Sequence, residues 1–211
     1  MQAMRAGREW DESDRHLWWR AYYDWLEPML FQPGRWAIMP DSPAAPSQLN
    51  DGLLNDWPFG HLGAPVWHMD GPIERLARLC DRFPRVCLGW IGDPKKEPVG
   101  CEAYFRKMDE VSRLMGNTWH PLHMLRGTLV AREYPFLSVD STSLAQNGHR
   151  YDDEGPDWIG RQRYACRLEQ GYFTGRVRKR VRLNRLAAQR APRAPVARPT
   201  GYRDPVQLGL L

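Results

Sequence analysis

Cysteine is scarce in this chain, and what there is stands unpaired. The cysteines, Cys80, Cys87, Cys101 and Cys166, form no C-x-x-C or C-x-C spacing. That predicts neither a zinc knuckle nor a zinc ribbon. No disulfide framework is legible, which fits a reducing cytoplasm. Long apolar runs are missing too. No stretch approaches the roughly 20 residues needed to span a bilayer. Residues 1–10 lack the apolar centre of a signal peptide. The expectation is a soluble, cytoplasmic protein with no membrane partner.

The 211 residues suffice for one sizeable domain and a tail. They are short of the roughly 250 typical of a (β/α)8 barrel. The hydrophobic fraction, 42%, is that of an ordinary globular domain. Thirty basic residues against 25 acidic give a net charge of +5 and a pI near 9.2. This balance favours an anionic partner such as nucleic acid. Ten tryptophans are many for the length. Trp stacks on bases, but more often it fills a core or lines a pocket.

Apolar periodicity divides the chain into alternating elements. Leu17, Trp18, Ala21, Tyr22, Trp25, Leu26 and Met29 recur at helical spacing, predicting a helix over 14–31. Asp11, Ser13 and Asp14 are its candidate N-caps. Trp36 to Pro40 reads as a buried strand ending at Asp41. A helix is expected over 47–57, capped by Ser47, with Leu49, Leu53 and Leu54 inward. The unit then recurs: strands over 64–69, 85–91, 120–125 and 136–140, and helices over 72–83 and 101–115. Short continuous apolar strands alternating with amphipathic helices predict a parallel sheet with βαβ crossovers. The fold class expected is therefore α/β, a TIM-type (β/α) barrel, complete or shortened, over 1–155.

Beyond Ser143 the character changes. Residues 146–156 are polar and turn-rich. A basic extension is expected over 156–211. In it Arg176, Arg178, Lys179, Arg180, Arg182 and Arg185 interleave with Val177, Val181, Leu183 and Leu186, as in an amphipathic helix. These cations, with Arg126, are the candidate nucleic-acid contacts; the other reading is a solvated charged face. Residues 190–205 alternate Pro, Ala and Arg and are expected to be disordered.

Parallel α/β barrels carry reactive groups at the C-terminal ends of their strands. The successive strand ends here supply Asp41; His68, followed by Asp70 and Gly71; Gly89, Trp90 and Gly92; His123, Arg126 and Gly127; then Asp140, Ser141 and Thr142. Each alone reads as well as a helix cap, a core histidine or a packing glycine. Together they outline a polar mouth with room for a flat ligand beside Gly89. Two carboxylates across a pocket suit N-glycoside chemistry. One meets the positive charge developing at the anomeric carbon, and the other manages the base. Metal binding by His68, His123, Asp41 and Asp140 is the competing use. The H-x-H spacing usual in barrel hydrolases is absent, because His120 and His123 fall on opposite faces of a strand.

The order of these motifs resembles the strand series of the tRNA-guanine transglycosylases. Trp36-Ala-Ile-Met-Pro-Asp41 is followed by Pro65-Val-Trp-His-Met-Asp-Gly71, Val86-Cys-Leu-Gly-Trp90, Leu122-His-Met-Leu-Arg-Gly127 and Tyr134-Pro-Phe-Leu-Ser-Val-Asp-Ser-Thr-Ser143. The resemblance spans about 15–151. It is closest to phage and bacterial relatives that place 7-deazaguanines in DNA. It implies Asp140 as nucleophile, Asp41 as the second catalytic carboxylate against the base, and His68, Gly89, Trp90, His123 and Ser141 as base-binding residues. The implied reaction replaces guanine in DNA or tRNA by a 7-deazaguanine such as preQ0 or preQ1, with no cofactor. A phage-encoded member would work in the host cytoplasm. Two departures stand out. The family's early Asp-Ser-Gly-Gly-Phe-type strand, with its own catalytic aspartate, has no counterpart, as in an N-terminally shortened or divergent member. The Cys/His zinc cluster of the tRNA enzymes is also missing. The alternatives are a non-catalytic nucleic-acid-binding remnant of such a barrel and a metal-assisted barrel hydrolase.

Overall fold

The computed structural model describes residues 12–42, 45–142, 157–171 and 175–192. Helix α1 (Glu12–Leu30) leads into strand β1 (Ala37–Ile38). Helix α2 (Ser47–Leu53) is followed by short 3-10 turns at Leu54–Asp56 and Gly60–Leu62. Strands β2 (Gly63–Ala64) and β3 (Val66–His68) are consecutive pieces of one run, interrupted at Pro65. Then come α3 (Ile73–Arg82), β4 (Val86–Gly89), α4 (Glu102–Met115), β5 (Leu122–Met124), a 3-10 turn at Thr128–Val130, and β6 (Ser138–Val139). Helices α5 (Asp157–Glu169) and α6 (Gly175–Arg190) follow.

The protein is α/β with parallel sheets. β1 pairs with β2, and β3, β4, β5 and β6 pair in chain order, every pair parallel. The register Val66↔Cys87, Cys87↔His123 and His123↔Ser138 puts these side chains in one row across the sheet. Side chains alternate between faces along each strand. Val86, Leu88, Leu122 and Met124 therefore face α3 and α4, where Leu76, Leu79, Phe105, Met108, Val111 and Leu114 complete the main core. Ala64, Val66 and Cys87 face the other way and pack with Trp36, Ile38 and Leu125. The sheet curls around that second cluster: the Trp36 ring, beside β1, meets His123 on β5 edge-on at 5.2 Å.

Helix α3 forms as its pattern predicts, with Ile73, Leu76, Ala77, Leu79 and Cys80 buried. Arg75 is buried as well, which periodicity did not foresee. It is held by Asp51 (Nε to Oδ1, 2.8 Å) and donates to the Val66 carbonyl at 2.9 Å, tying α2, α3 and β3 together. Three local expectations need correction. Ser47 is the first residue of α2, not its cap; Pro46 occupies the cap and no side chain accepts there. Leu49 is exposed because α2 ends at Leu53 and the inward face passes to Asn50, Leu53 and Leu54. Ser13 and Asp14 lie inside α1, while Asp11 falls outside the described residues.

The basic segment forms α6, and it lies against α4. Val181 and Ala188 are buried there, and Asn184 donates to the Gly100 carbonyl at 2.8 Å. Leu183 and Leu186, expected on the apolar face, are exposed instead. The face that meets α4 runs through Val177, Val181, Asn184 and Ala188, at helical spacing from one another. Of the stretch expected to be disordered, residues 193–205 lie outside the described residues. Among the described residues no helix is long and apolar enough to cross a membrane.

Candidate functional site

Asp140 follows β6 directly, and its backbone N–H donates to the Met124 carbonyl at 3.3 Å, extending the β5–β6 ladder by one bond. The carboxylate accepts from the Arg126 backbone N–H through Oδ1. Arg126 has φ 57°, the one left-handed non-glycine residue among those described. An L-residue held there costs about 1 kcal/mol or more and clusters where backbone geometry is put to use. Here the strained turn aims an amide at a carboxylate that remains 44% exposed. The Arg126 side chain itself points to solvent.

His123, one strand inward, is buried. Its Nδ1 lies 2.8 Å from Ser138 Oγ, a contact in which either group can donate. Its Nε2 is enclosed, has no hydrogen-bond partner among the described residues, and stands 4.0 Å from Asp140 Oδ1. Burial pushes the His123 pKa down, and the nearby Asp140 carboxylate opposes that shift. At neutral pH the ring is therefore uncharged. In the tautomer in which Ser138 donates to Nδ1, the ring proton sits on Nε2, 4.0 Å from Asp140 Oδ1.

At the other end of the row His68 Nε2 and Asp41 Oδ2 are 2.6 Å apart. His68 closes β3 and is buried, and Asp41 lies three residues beyond β1 with a quarter of its side chain exposed. Gly89 ends β4 between the two histidine-bearing strands. A Cβ there would lie 3.0 Å from Val66 Cγ1, tighter than ordinary contact, and 3.4 Å from His68 Cδ2, an ordinary contact distance. This is close packing of backbone against side chain.

Below this rim lies Cys87, fully buried. Its thiol pKa is raised, first by burial and then by the Asp140 and Asp41 carboxylates, with Arg85 pulling the other way. Cys87 is a neutral thiol and no nucleophile. Arg85 lies over the Trp36 ring at 5.5 Å, and burial lowers its pKa. Tyr22 donates to the Ile38 carbonyl at 2.8 Å, and burial raises its pKa to about 12.

Asp140, His123, Gly89, His68 and Asp41 therefore share one face and one end of the sheet. Trp90 does not. Its residue alternates to the outer face, where the ring packs edge-on against Tyr104 and Nε1 donates to the Glu97 carbonyl at 2.7 Å. Ser141 is half-buried next to Asp140. Arg176, Arg178, Lys179, Arg180 and Arg182 are exposed on α6, whereas Arg185 pairs with Glu133 and lies over the Tyr134 ring. Ser138 and Trp36 escaped the sequence reading. Only strand alternation, Ser138 being two residues before Asp140, carried a signal for the former. Among the described residues no three His, Cys, Asp or Glu side chains gather closely enough to hold an ion.

Compared with known proteins, the chain matches no family model, no curated protein and no solved structure.

Proposed function

We propose that this protein is a (β/α) barrel of the tRNA-guanine transglycosylase type. In this reading it exchanges guanine in DNA or tRNA for a 7-deazaguanine such as preQ0 or preQ1. The observation that carries the reading is the Asp140 carboxylate, oriented by the strained Arg126 amide at a parallel strand end and left open to solvent. Consecutive strand order and the reach of Trp36 to His123 support the barrel.

The chemistry follows from the groups on the rim. An Asp140 oxygen attacks C1′ of a guanine nucleotide displaced from its stack. The C1′–N9 bond breaks, its electron pair stays on the departing guanine, and a proton neutralises the base. The incoming 7-deazaguanine loses its N9 proton, attacks C1′ and releases Asp140 unchanged. The Arg126 amide stabilises the carboxylate as it leaves. The Asp41–His68 pair, 2.6 Å apart, is placed to hold a base edge and relay its proton.

The test is incorporation of labelled preQ0 or guanine into DNA and tRNA by the wild-type protein and Asp140→Asn. The amide keeps an oxygen for the Arg126 N–H, so the fold is preserved while the nucleophile is lost. Incorporation should fall by roughly 10⁴-fold or more. Undiminished incorporation in Asp140→Asn would remove Asp140 as nucleophile. Salt-dependent nucleic-acid binding without any incorporation would favour the alternative, a non-catalytic binding protein. The exposed cations of α6 speak for that second reading.

A further inference from the structure

A second concavity lies outside the rim, between the turn after β5 and helix α6. Its volume is about 310 Å³, and Thr128, Arg132, Glu133, Gly171, Arg178 and Arg182 are among its walls. Its charge is unbalanced. Among the described residues Glu133 is its one acidic wall, and that carboxylate is already paired with Arg185. Arg132 donates to the Gln170 carbonyl at 2.6 Å, and Arg178 to the Gly171 carbonyl at 3.0 Å. Those carbonyls end helix α5, and a helix C-terminus offsets only about half a unit charge. Arg182 has no hydrogen-bond or ion-pair partner among the described residues.

The guanidinium of Arg132 is fixed before any ligand arrives. Gly171 has φ +65°, and a Cβ there would sit 3.3 Å from Arg132 Nε. The glycine thus lets the Arg132 side chain lie flat against the backbone. A preset guanidinium beside two others is suited to the paired oxygens of a phosphate. The floor of the concavity is also linked to the chemistry. Thr128–Glu133 follows closely on Arg126, whose amide holds the Asp140 carboxylate.

We infer that this concavity is a phosphodiester site, binding the nucleic-acid backbone beside the nucleotide presented to Asp140, with Arg132, Arg178 and Arg182 as its ligands. The inference rests on the nucleic-acid substrate of the proposed function. It adds Arg132, and it separates Arg178 and Arg182 from the remaining cations of α6. Arg176, Lys179 and Arg180 are exposed on that helix but do not line the concavity. They contribute general attraction only.

The experiment is fluorescence anisotropy of a labelled guanine-containing single-stranded DNA 12-mer, and the matching RNA, across 50–200 mM salt. Full-length wild-type protein is compared with R132Q/R178Q/R182Q and with R176Q/K179Q/R180Q, which lose equal charge. Removing three phosphate contacts should flatten the log K against log salt slope by about 2, at roughly 0.7 per contact on a single strand. Affinity at the lowest salt should fall at least about tenfold, against a clearly smaller loss in the outer-face variant. R182E alone keeps the test valid if Arg132 or Arg178 proves necessary for folding, because Arg182 caps nothing; it too should weaken binding more than R180E. Equal losses in the two triple variants would overturn the site and leave base exchange untouched. No binding by the wild-type protein would overturn both. Tight binding of inorganic phosphate, abolished in the pocket variant and indifferent to the 12-mer, would assign the pocket to a free anion and overturn the backbone role.

Discussion

His120 sets an acid limit on the fold whose size follows from its surroundings. It lies just before β5, only 1% exposed, with both ring nitrogens enclosed and unpartnered among the described residues. Burial lowers its pKa from 6.5 to about 4; the nearby Phe83 backbone, short of a full hydrogen bond, opposes this. The unfolded chain protonates this ring at its ordinary pKa, and the folded chain refuses the proton until about pH 4. Between those values the unfolded state binds more protons, so stability rises with pH. The contribution is complete above about 6.5 and is lost progressively as pH falls toward 4. Over the whole window it amounts to about 3 kcal/mol, at 1.36 kcal/mol per pK unit, and about 2 kcal/mol of that is gone by pH 5. Urea unfolding followed by Trp fluorescence at pH 7.5 and 5.0 measures it. The wild-type protein should lose about 2 kcal/mol more between those pH values than His120→Phe, which cannot titrate. His123, also lowered by burial, is present in both proteins and cancels. An identical pH slope in the two proteins would refute the reasoning and mean that solvent reaches the His120 ring.

Gly89→Ala should cost about 1 kcal/mol, because Val66 must give way by a few tenths of an ångström to the new methyl group. It should also slow the proposed base exchange, because the methyl group would lie against the His68 ring that meets Asp41. Thermal unfolding and single-turnover rates separate the two effects, and an unchanged rate would remove His68 from the base site. Asp51→Ala should destabilise by about 3 kcal/mol in urea, since it strands the Arg75 guanidinium, whose side chain is 2% exposed. A loss below about 1 kcal/mol would mean that the Val66 carbonyl and local water suffice for that charge.

The strand-end residues were readable because a parallel α/β pattern fixes both periodicity and polarity. Once 64–69, 85–91, 120–125 and 136–140 read as buried parallel strands, His68, Gly89, His123 and Asp140 had to fall at one end of a sheet. Strand alternation applied to Trp90 would have turned it outward, one residue beyond Gly89, toward Tyr104. Its adjacency to the glycine had drawn it into the base-binding set. Leu49, Leu183 and Leu186 were misplaced for a related reason. An apolar residue on a short or one-sided helix is buried only if another element covers it, and among the described residues neither α2 nor α6 has a partner on that face.

The sequence by itself determined the alternation of strands and helices, their parallel sense, and the end of the sheet where polar groups collect. Those follow from period, polarity and the short reach of the chain between neighbours. Only the tertiary structure decided which groups meet. Asp41 and His68 are 27 residues apart, and Arg126 and Asp140 are 14 apart, yet each pair is in hydrogen-bond contact. The left-handed turn at Arg126, the curl that carries Trp36 to His123, and the docking of α6 beside the turn after β5 have no local signature. They arise where backbone strain, ring packing and a buried helix face are settled together, across segments that no sequence window spans.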